Sequence, residues 1–308
     1  MAVPTIYNQI DSNRRKTIIL MVGFSIFIIG VAYILVVALG YEGPGALGFV
    51  GIILIISGFV NLGSYYWSDK LVLGMSGAKP IDKESNRDLY RIVENLTIAS
   101  GTPMPKIYVI EDSAPNAFAT GRDPKHAAIA FTTGILNRLE KLELEGVAAH
   151  ELSHVRNYDT RLMSIVVILL GTVALLADIF FRSLWWGGGN RDRRGGGALI
   201  ILVGVLVAIL APIAAQLIKF SVSRRREFLA DSSGVLLTRN PEGLATALLK
   251  ISNDATPSQH ASAANAHLFI INPFKGKQAK SWLANLFRTH PPVEERVKAL
   301  RSSIGTSL

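Results

Sequence analysis

Four long apolar runs constrain the fold of this 308-residue chain more than any other feature of its sequence. They cover residues 17–40, 46–67, 163–181 and 198–218, and Asp178 is the single charged residue inside them. A helix needs about 20 apolar residues to cross a bilayer. Buried core helices are the alternative for each run, and a cleaved signal peptide is an alternative for the first, although its apolar segment is usually shorter. We expect four transmembrane helices.

Lysine and arginine near the ends of these runs predict the orientation of the chain, because they favour the cytoplasmic side. Three consecutive basic residues, 14–16, precede the first run, whereas residues 41–45 contain no lysine or arginine. The predicted location is therefore a cell membrane that the chain crosses several times, with residues 68–162 in the cytoplasm. Four arginines in residues 182–197 argue for the opposite placement of that loop.

The composition excludes several classes of protein. There is no cysteine, so disulfides, thiol nucleophiles and cysteine-based metal sites are excluded. The net charge of +9 is concentrated in residues 219–308, where it favours contact with anionic lipid head groups. No nucleic-acid recognition motif accompanies the charge, so we expect a lipid bilayer and no nucleic acid as a partner.

Two blocks of polar composition, residues 68–162 and 219–308, are together large enough for one domain core. We therefore divide the chain into an N-terminal tail with a first transmembrane hairpin, the first part of a cytoplasmic domain, a second hairpin with a Gly/Arg linker, and the second part of that domain. These four parts are residues 1–67, 68–162, 163–218 and 219–308. Periodicity and turn residues predict helices at residues 85–99, 142–158, 241–252 and 292–300, and strands at residues 106–110, 116–120 and 127–131.

The segment HELSH contains His150, Glu151 and His154 in the spacing H-E-x-x-H. Residues i and i+4 of a helix share a face, so both imidazoles can reach one cation. Zn²⁺ suits two imidazole nitrogens, a carboxylate and an open water position, and Glu151 lies where it can take a proton from that water. A chance match is the alternative, expected in about 1% of chains of this length. The motif predicts a zinc site with Glu151 as the general base.

A third zinc ligand must come from elsewhere, because residues 155–160 contain no further histidine. The candidate is Glu227. Asp231 lies on the same helical face and can accept the free N–H of a ligand histidine. Two solvated carboxylates are the alternative. His154 precedes the third apolar run by nine residues and Glu227 follows the fourth by nine, so two membrane crossings would return both residues to one side.

The chain resembles the HtpX-type integral membrane zinc metalloproteases, which are relatives of the CAAX prenyl proteases. Four segments carry the resemblance: HELSH, SRRREFLAD at residues 223–231, NAFATG at residues 116–121, and THPP at residues 289–292 followed by ER at residues 295–296. The resemblance implies a mainly α integral membrane protein. Its four transmembrane helices would accompany a cytoplasmic α+β, zincin-like metalloprotease domain with a small β-sheet.

The resemblance also implies roles for individual residues. His150, His154 and Glu227 would bind one zinc ion per chain, and Glu151 would be the catalytic base. The site would face the cytoplasm, and the protein would degrade damaged or misassembled membrane proteins. The expected partners are therefore membrane-protein or unfolded polypeptide substrates.

Two further parts of the site are predicted. His290 is the candidate donor to the oxyanion that forms during hydrolysis; the alternative is a residue that only neighbours a helix cap in the T-H-P-P turn. A strand containing Asn116, Ala117, Phe118 and Ala119 can accept substrate as an added β-strand. The alternative is an ordinary edge strand.

Two other functions stay open on the sequence alone. One is a prenyl-protein protease, whose site we expect more than four spans to enclose. The other is a non-enzymatic membrane scaffold with a degenerate metal site, although the intact motif and Glu227 argue against degeneration. The remaining histidines, His126, His260 and His267, lie in polar sequence and are predicted to be exposed.

Overall fold

The computed structural model describes residues 6–38, 44–186, 223–262, 264–274 and 290–302. These ranges contain nine α-helices and a small sheet. The helices are α1 (Ile6–Ala38), α2 (Pro44–Met75), α3 (Arg87–Ser100), α4 (Thr133–Arg138), α5 (Lys141–Arg156), α6 (Asp159–Trp186), α7 (Arg224–Thr238), α8 (Pro241–Asn253) and α9 (Val293–Ser302). The strands are β1 (Lys79–Pro80), β2 (Lys106–Ile110), β3 (Ala117–Gly121) and β4 (Ala127–Thr132).

The helices and strands predicted within the polar blocks are confirmed, most closely where local chemistry sets the boundary. Strand β2 has the predicted bounds. Helix α8 begins at Pro241, and the side chain of Asn240 accepts the N–H of Gly243 at 3.1 Å. A capping side chain followed by proline satisfies the first turn of a helix, which explains why the sequence alone indicates this start.

The sheet has the strand order β1-β2-β4-β3, with β2 and β4 parallel and the outer pairs antiparallel. Its two faces pack into two different cores, as the two-residue period of a strand requires. Ile129 and Phe131 pack in the core that contains α3, α5 and α8, whereas Phe118, Ala128 and Ala130 pack in the core that contains α1, α2 and α6. Burial of both faces explains the continuous apolar sequence of β4.

The three apolar runs that fall within the described residues do not form the membrane-spanning helices that the sequence predicts. Among the helices in the described ranges, none has the combination of length and apolar character needed to cross a membrane. The prediction of an integral membrane fold with four transmembrane helices is therefore wrong. The first three runs lie largely in α1, α2 and α6, and part of the apolar surface of the first and third runs packs in the interior of the protein, where Phe24, Ile165 and Val166 are buried. The run at residues 198–218 lies outside the described residues.

Helix α5 runs through the core that also contains α3 and α8, and it contacts α7 and α8 closely. Gly146 permits the contact with α8, because a Cβ atom there would lie 2.8 Å from the backbone nitrogen of Leu244. The carboxylate of Glu143 accepts a 2.8 Å hydrogen bond from Lys250 of α8. These contacts fix α5, which carries the H-E-x-x-H segment, between the sheet and the C-terminal helices.

Candidate metal centre and active site

Helix α5 presents His150, Glu151 and His154 in the interior of the protein. The three residues are 1%, 2% and 4% exposed. The imidazole rings lie one helical turn apart, with their Nε2 atoms separated by 3.2 Å and their planes perpendicular. The i, i+4 spacing has thus brought two ring nitrogens to one point in the core.

Helix α7 brings Glu227 to the two imidazoles. Glu227 Oε1 lies 3.6 Å from His154 Nε2, and Oε2 lies 3.8 Å from His150 Nε2. The two helices approach closely because α7 has a glycine where they cross. A Cβ atom on Gly234 would lie 3.2 Å from the backbone nitrogen of His150, closer than ordinary van der Waals contact.

The chemistry of His150, His154 and Glu227 fits a bound divalent metal ion. Their ligand atoms all lie within 4.8 Å of one another, and two imidazoles with one carboxylate form a ligand set that zinc hydrolases use. Glu227 Oε2 is buried without a hydrogen-bond partner. Burying a carboxylate oxygen that accepts no hydrogen bond is costly, so this oxygen also suits a metal ligand.

Asp231 and Arg296 support His150 from the C-terminal part of the chain. Asp231 Oδ1 lies 2.9 Å from His150 Nδ1, so it can accept the ring N–H and leave Nε2 free for a metal. Arg296 donates hydrogen bonds of 2.8 and 2.6 Å to the two oxygens of Asp231. Although burial raises the pKa of Asp231, Arg296 lowers it to about 2. Burial lowers the pKa of His150 to about 4, with Asp231 opposing and Arg296 adding to the shift.

Asp159 supports His154. Its Oδ2 atom lies 3.0 Å from His154 Nδ1, and the carboxylate is fully buried at the start of α6. Burial lowers the pKa of His154, but the hydrogen bond to Asp159 and the charge of Glu227 outweigh burial and raise it to about 9. The two neighbouring imidazoles therefore have opposite protonation preferences before a metal binds.

Glu151 lies between the two imidazoles along α5 and faces strand β3. Burial raises the pKa of its carboxyl group to about 7, and the charge of Glu227 adds to the increase. His154 and a backbone hydrogen bond from Ala119 act in the opposite direction. A buried carboxyl group with a pKa near 7 can both take up and release a proton at neutral pH.

His290 lies directly beside Glu227. Its Nδ1 atom is 3.0 Å from Glu227 Oε2, but the two groups do not have the alignment of a hydrogen bond. Although burial raises the pKa of Glu227, the charge of His290, followed by those of His154 and Arg296, holds it well below its ordinary value. The His290 ring also lines a cavity of about 330 Å³ together with Ile270 and Pro291.

The predicted substrate strand forms β3 and the residue before it, at the edge of the sheet. Part of this edge is already hydrogen-bonded. Ala117 O accepts the N–H of Ile270 at 3.0 Å, and Asn116 Nδ2 donates to Ile271 O at 2.9 Å. Residues 270–271 therefore cover the edge of β3 near its start.

The sequence analysis assigned no role in the site to two charged residues that the structure brings into it, Asp159 and Arg296. Arg296 lies in the C-terminal ER dipeptide that carries part of the family resemblance, and it is 1% exposed. Asp159 follows His154 by five residues, and its proximity depends on the turn at Tyr158, which has a positive φ of 59°. An acidic residue just after the motif is the one sequence signal that could have indicated Asp159.

Comparisons with known proteins show the family of the chain. The family model described as Peptidase family M48 matches residues 83–304. A protein named Protease HtpX homolog from Dictyoglomus thermophilum is 43% identical over 297 residues, which cover 96% of this chain and 94% of the relative. The protein of the same name from Caldanaerobacter subterraneus subsp. tengcongensis is 44% identical over 306 residues, covering 98% and 99%. A solved structure titled Crystal Structure of S. mikatae Ste24p is 18% identical with a TM-score of 0.47, and the match covers 94% of this chain and 66% of that chain.

Proposed function

Since the chain belongs to peptidase family M48 and is a metallopeptidase, we propose that it is an endopeptidase with one zinc ion held by His150, His154 and Glu227. The observation that carries the proposal is the convergence of three buried ligand atoms from α5 and α7 within 4.8 Å of one another. Glu151 lies beside His150 on the same helix. A general base is therefore next to the proposed metal ligands.

A zinc ion bound there would supply a Lewis acid that polarises the scissile carbonyl group and makes water a nucleophile near neutral pH. Glu151 is the proposed general base. Its carboxylate takes a proton from the attacking water and passes the proton to the leaving amine. A pKa of about 7 suits both transfers. Asp231 and Asp159 accept the Nδ1–H groups of the two ligand rings, which orients each Nε2 atom.

His290 is the proposed donor to the negative charge that develops on the carbonyl oxygen during attack. The support is its position beside Glu227, on the wall of the cavity. Losing one such donor typically costs about 3–4 kcal/mol in the activation barrier.

The substrate is proposed to bind in extended form along residues Asn116, Ala117, Phe118 and Ala119, as an added β-strand. The support is that β3 is the edge strand and that Ala119 contacts Glu151 through its backbone. A peptide on this edge would lie next to the general base. Pairing near Ala117 would require residues 270–271 to release its carbonyl oxygen.

We further propose that the chain acts at the cell membrane, on the cytoplasmic side, and degrades damaged or misfolded membrane proteins. The support is the resemblance to HtpX-type proteases, together with the large apolar side chains that α1 and α2 leave exposed. Ile19 and Phe59, for example, are each 70% exposed, and such surface is usually covered by an apolar partner.

The decisive experiment measures zinc content and the cleavage of an unfolded protein such as casein. We expect one zinc per wild-type chain. Glu151→Gln should keep the zinc and lower kcat/KM by about 10²–10⁴-fold, because it removes the general base without touching a ligand. Equal cleavage by this variant would take the role of base away from Glu151. A wild-type chain that binds no stoichiometric zinc would contradict the ligand assignment.

The matched control is Glu145→Gln. It makes the same chemical change on the same helix, and Glu145 is partly exposed and lies outside the site. We expect its zinc content and cleavage rate to equal those of the wild type.

A further inference from the structure

The carboxylate that supports His154 has a second buried partner, which comes from the N-terminal helix. Asn13 of α1 donates a 2.7 Å hydrogen bond from Nδ2 to Asp159 Oδ1. The same amide group lies 3.2 Å from Asn157 O, in the turn between α5 and α6. Asn13 is 3% exposed and Asp159 is fully buried, so solvent does not compete for this hydrogen bond.

The two oxygens of Asp159 thus contact different groups. Oδ2 faces His154 Nδ1 at 3.0 Å, whereas Oδ1 is held by Asn13 and lies 3.4 Å from Arg226 Nε. Arg226 also donates to Asn13 Oδ1 at 3.3 Å. The terminal torsion of an aspartate is soft, so contacts on one oxygen decide where the other oxygen points.

We infer that Asn13 is a positioning residue of the metal centre, which acts through Asp159 on His154. This inference rests on the proposed function. The amide of Asn13 holds Asp159 Oδ1, so that Oδ2 accepts the Nδ1–H of His154 and the Nε2 atom of that ring faces the metal. Outer partners of this kind tune metal affinity. Because the family match begins at residue 83, a helix outside the matched region completes the site.

A purely structural role for Asn13 makes a different prediction. Its bond to Asn157 O alone would tie α1 to the α5–α6 turn, and its loss would lower stability without changing the affinity of the folded protein for zinc. The readouts that separate the two roles are therefore the zinc dissociation constant, from competition with a chromophoric chelator, and the melting temperature of the metal-free chain.

The first test uses Asn13→Leu and the smaller Asn13→Ala in the full chain. We expect the zinc dissociation constant to rise about 3- to 10-fold in both, at or below the lower end of the range for direct outer-shell partners. Thr17→Val is the matched control. It removes a buried hydrogen bond to Asn13 O on the same helix but touches no carboxylate, so its zinc affinity should stay within twofold of the wild type.

Unchanged zinc affinity in both Asn13 variants, or an equal loss in Thr17→Val, would overturn the inference. If Asn13→Leu does not fold, Asn13→Ala alone carries the comparison. A wild-type chain without zinc would instead overturn the proposed function, and the inference with it. The two failures are therefore distinguishable.

The second test exchanges the two side chains. Asn13→Asp alone should weaken zinc binding, because two carboxylates then face each other. In the Asp159→Asn background the same change should improve zinc binding at least threefold, since the amide introduced at position 159 can donate to the carboxylate introduced at position 13 and still accept from His154. A simple effect of added negative charge would strengthen binding in both backgrounds, and that result would overturn the inference.

Discussion

His150 and His154 lie one turn apart on the same helix, yet two different regions of the molecule support them. The C-terminal helices supply Asp231 for His150, and both oxygens of Asp231 already bind the buried guanidinium of Arg296. The start of α6 supplies Asp159 for His154, and Asn13 of α1 donates a hydrogen bond to Asp159. The pKa of His150 is about 4 and that of His154 is about 9. Burial lowers both pKa values, but Arg296 opposes the effect of Asp231 on His150, whereas Asp159, Glu227 and Glu151 all raise the pKa of His154.

The largest expected effect is a loss of stability when Arg296, the cation beside Asp231 and His150, is removed. Arg296→Leu leaves Asp231 buried without its cationic partner, and breaking a buried ion pair typically destabilises a protein by about 3–5 kcal/mol. The free energy of unfolding from chemical denaturation checks this loss. Arg301→Leu on the same helix is the control, because Arg301 pairs with Glu242 at the surface and exposed pairs contribute little. Equal losses of unfolding free energy in the two variants would show that the buried ion pair contributes no more to stability than the exposed one.

The next prediction concerns the pH dependence of zinc affinity, which follows from the difference in pKa between His150 and His154. At pH 7 to 8 His150 is neutral and Glu227 is ionised, but His154 must lose a proton before it can bind zinc. Zinc affinity should therefore rise about tenfold per pH unit in this window, which corresponds to about 1.4 kcal/mol. Calorimetry in buffers of different ionisation enthalpy should find about one proton released per zinc.

Two variants sharpen that measurement. Asp159→Asn removes the charge that raises the pKa of His154, so the dependence on pH above 7 should flatten. Asp231→Asn should keep the slope, because His150 is already neutral there. A wild-type affinity that is flat between pH 7 and 8 would contradict the difference between the two rings.

The smallest effect concerns a third buried imidazole. His267 is fully buried, contrary to the sequence prediction, and its Nε2 atom contacts Met163 O at 3.2 Å rather than a carboxylate. Burial lowers its pKa to about 4. The folded chain then binds fewer protons than the unfolded chain between pH 4 and 6.5, so the stability of the metal-free protein should decrease as the pH falls through this window.

His267→Gln removes this titration. We expect its unfolding free energy to depend less steeply on pH between 6.5 and 5 than that of the wild type, as measured by urea denaturation. Identical slopes would mean that His267 does not contribute to the acid sensitivity.

Much of the enzyme could be predicted from local sequence. The resemblance to HtpX-type proteases and the assignment as a metallopeptidase are confirmed by the family match and by the relatives. The helices and strands around His150 are confirmed because capping, turns and periodicity act over a few residues. The prediction of a transmembrane fold was wrong, because no helix in the described part of the chain combines the length and the apolar character that crossing a membrane requires.

The sequence by itself determined which groups share a face: His150 with His154 through the i, i+4 spacing, and Glu227 with Asp231 through the same spacing. Only the tertiary structure decided which residues those faces contact. The pairing of Asp231 with Arg296, and of Asp159 with Asn13, joins residues far apart in the chain. Spacing along a helix follows from local geometry, but contacts between distant segments depend on how closely whole helices pack, as at Gly234. Burial and neighbouring charge, which tertiary packing alone sets, then give two identical side chains different protonation states.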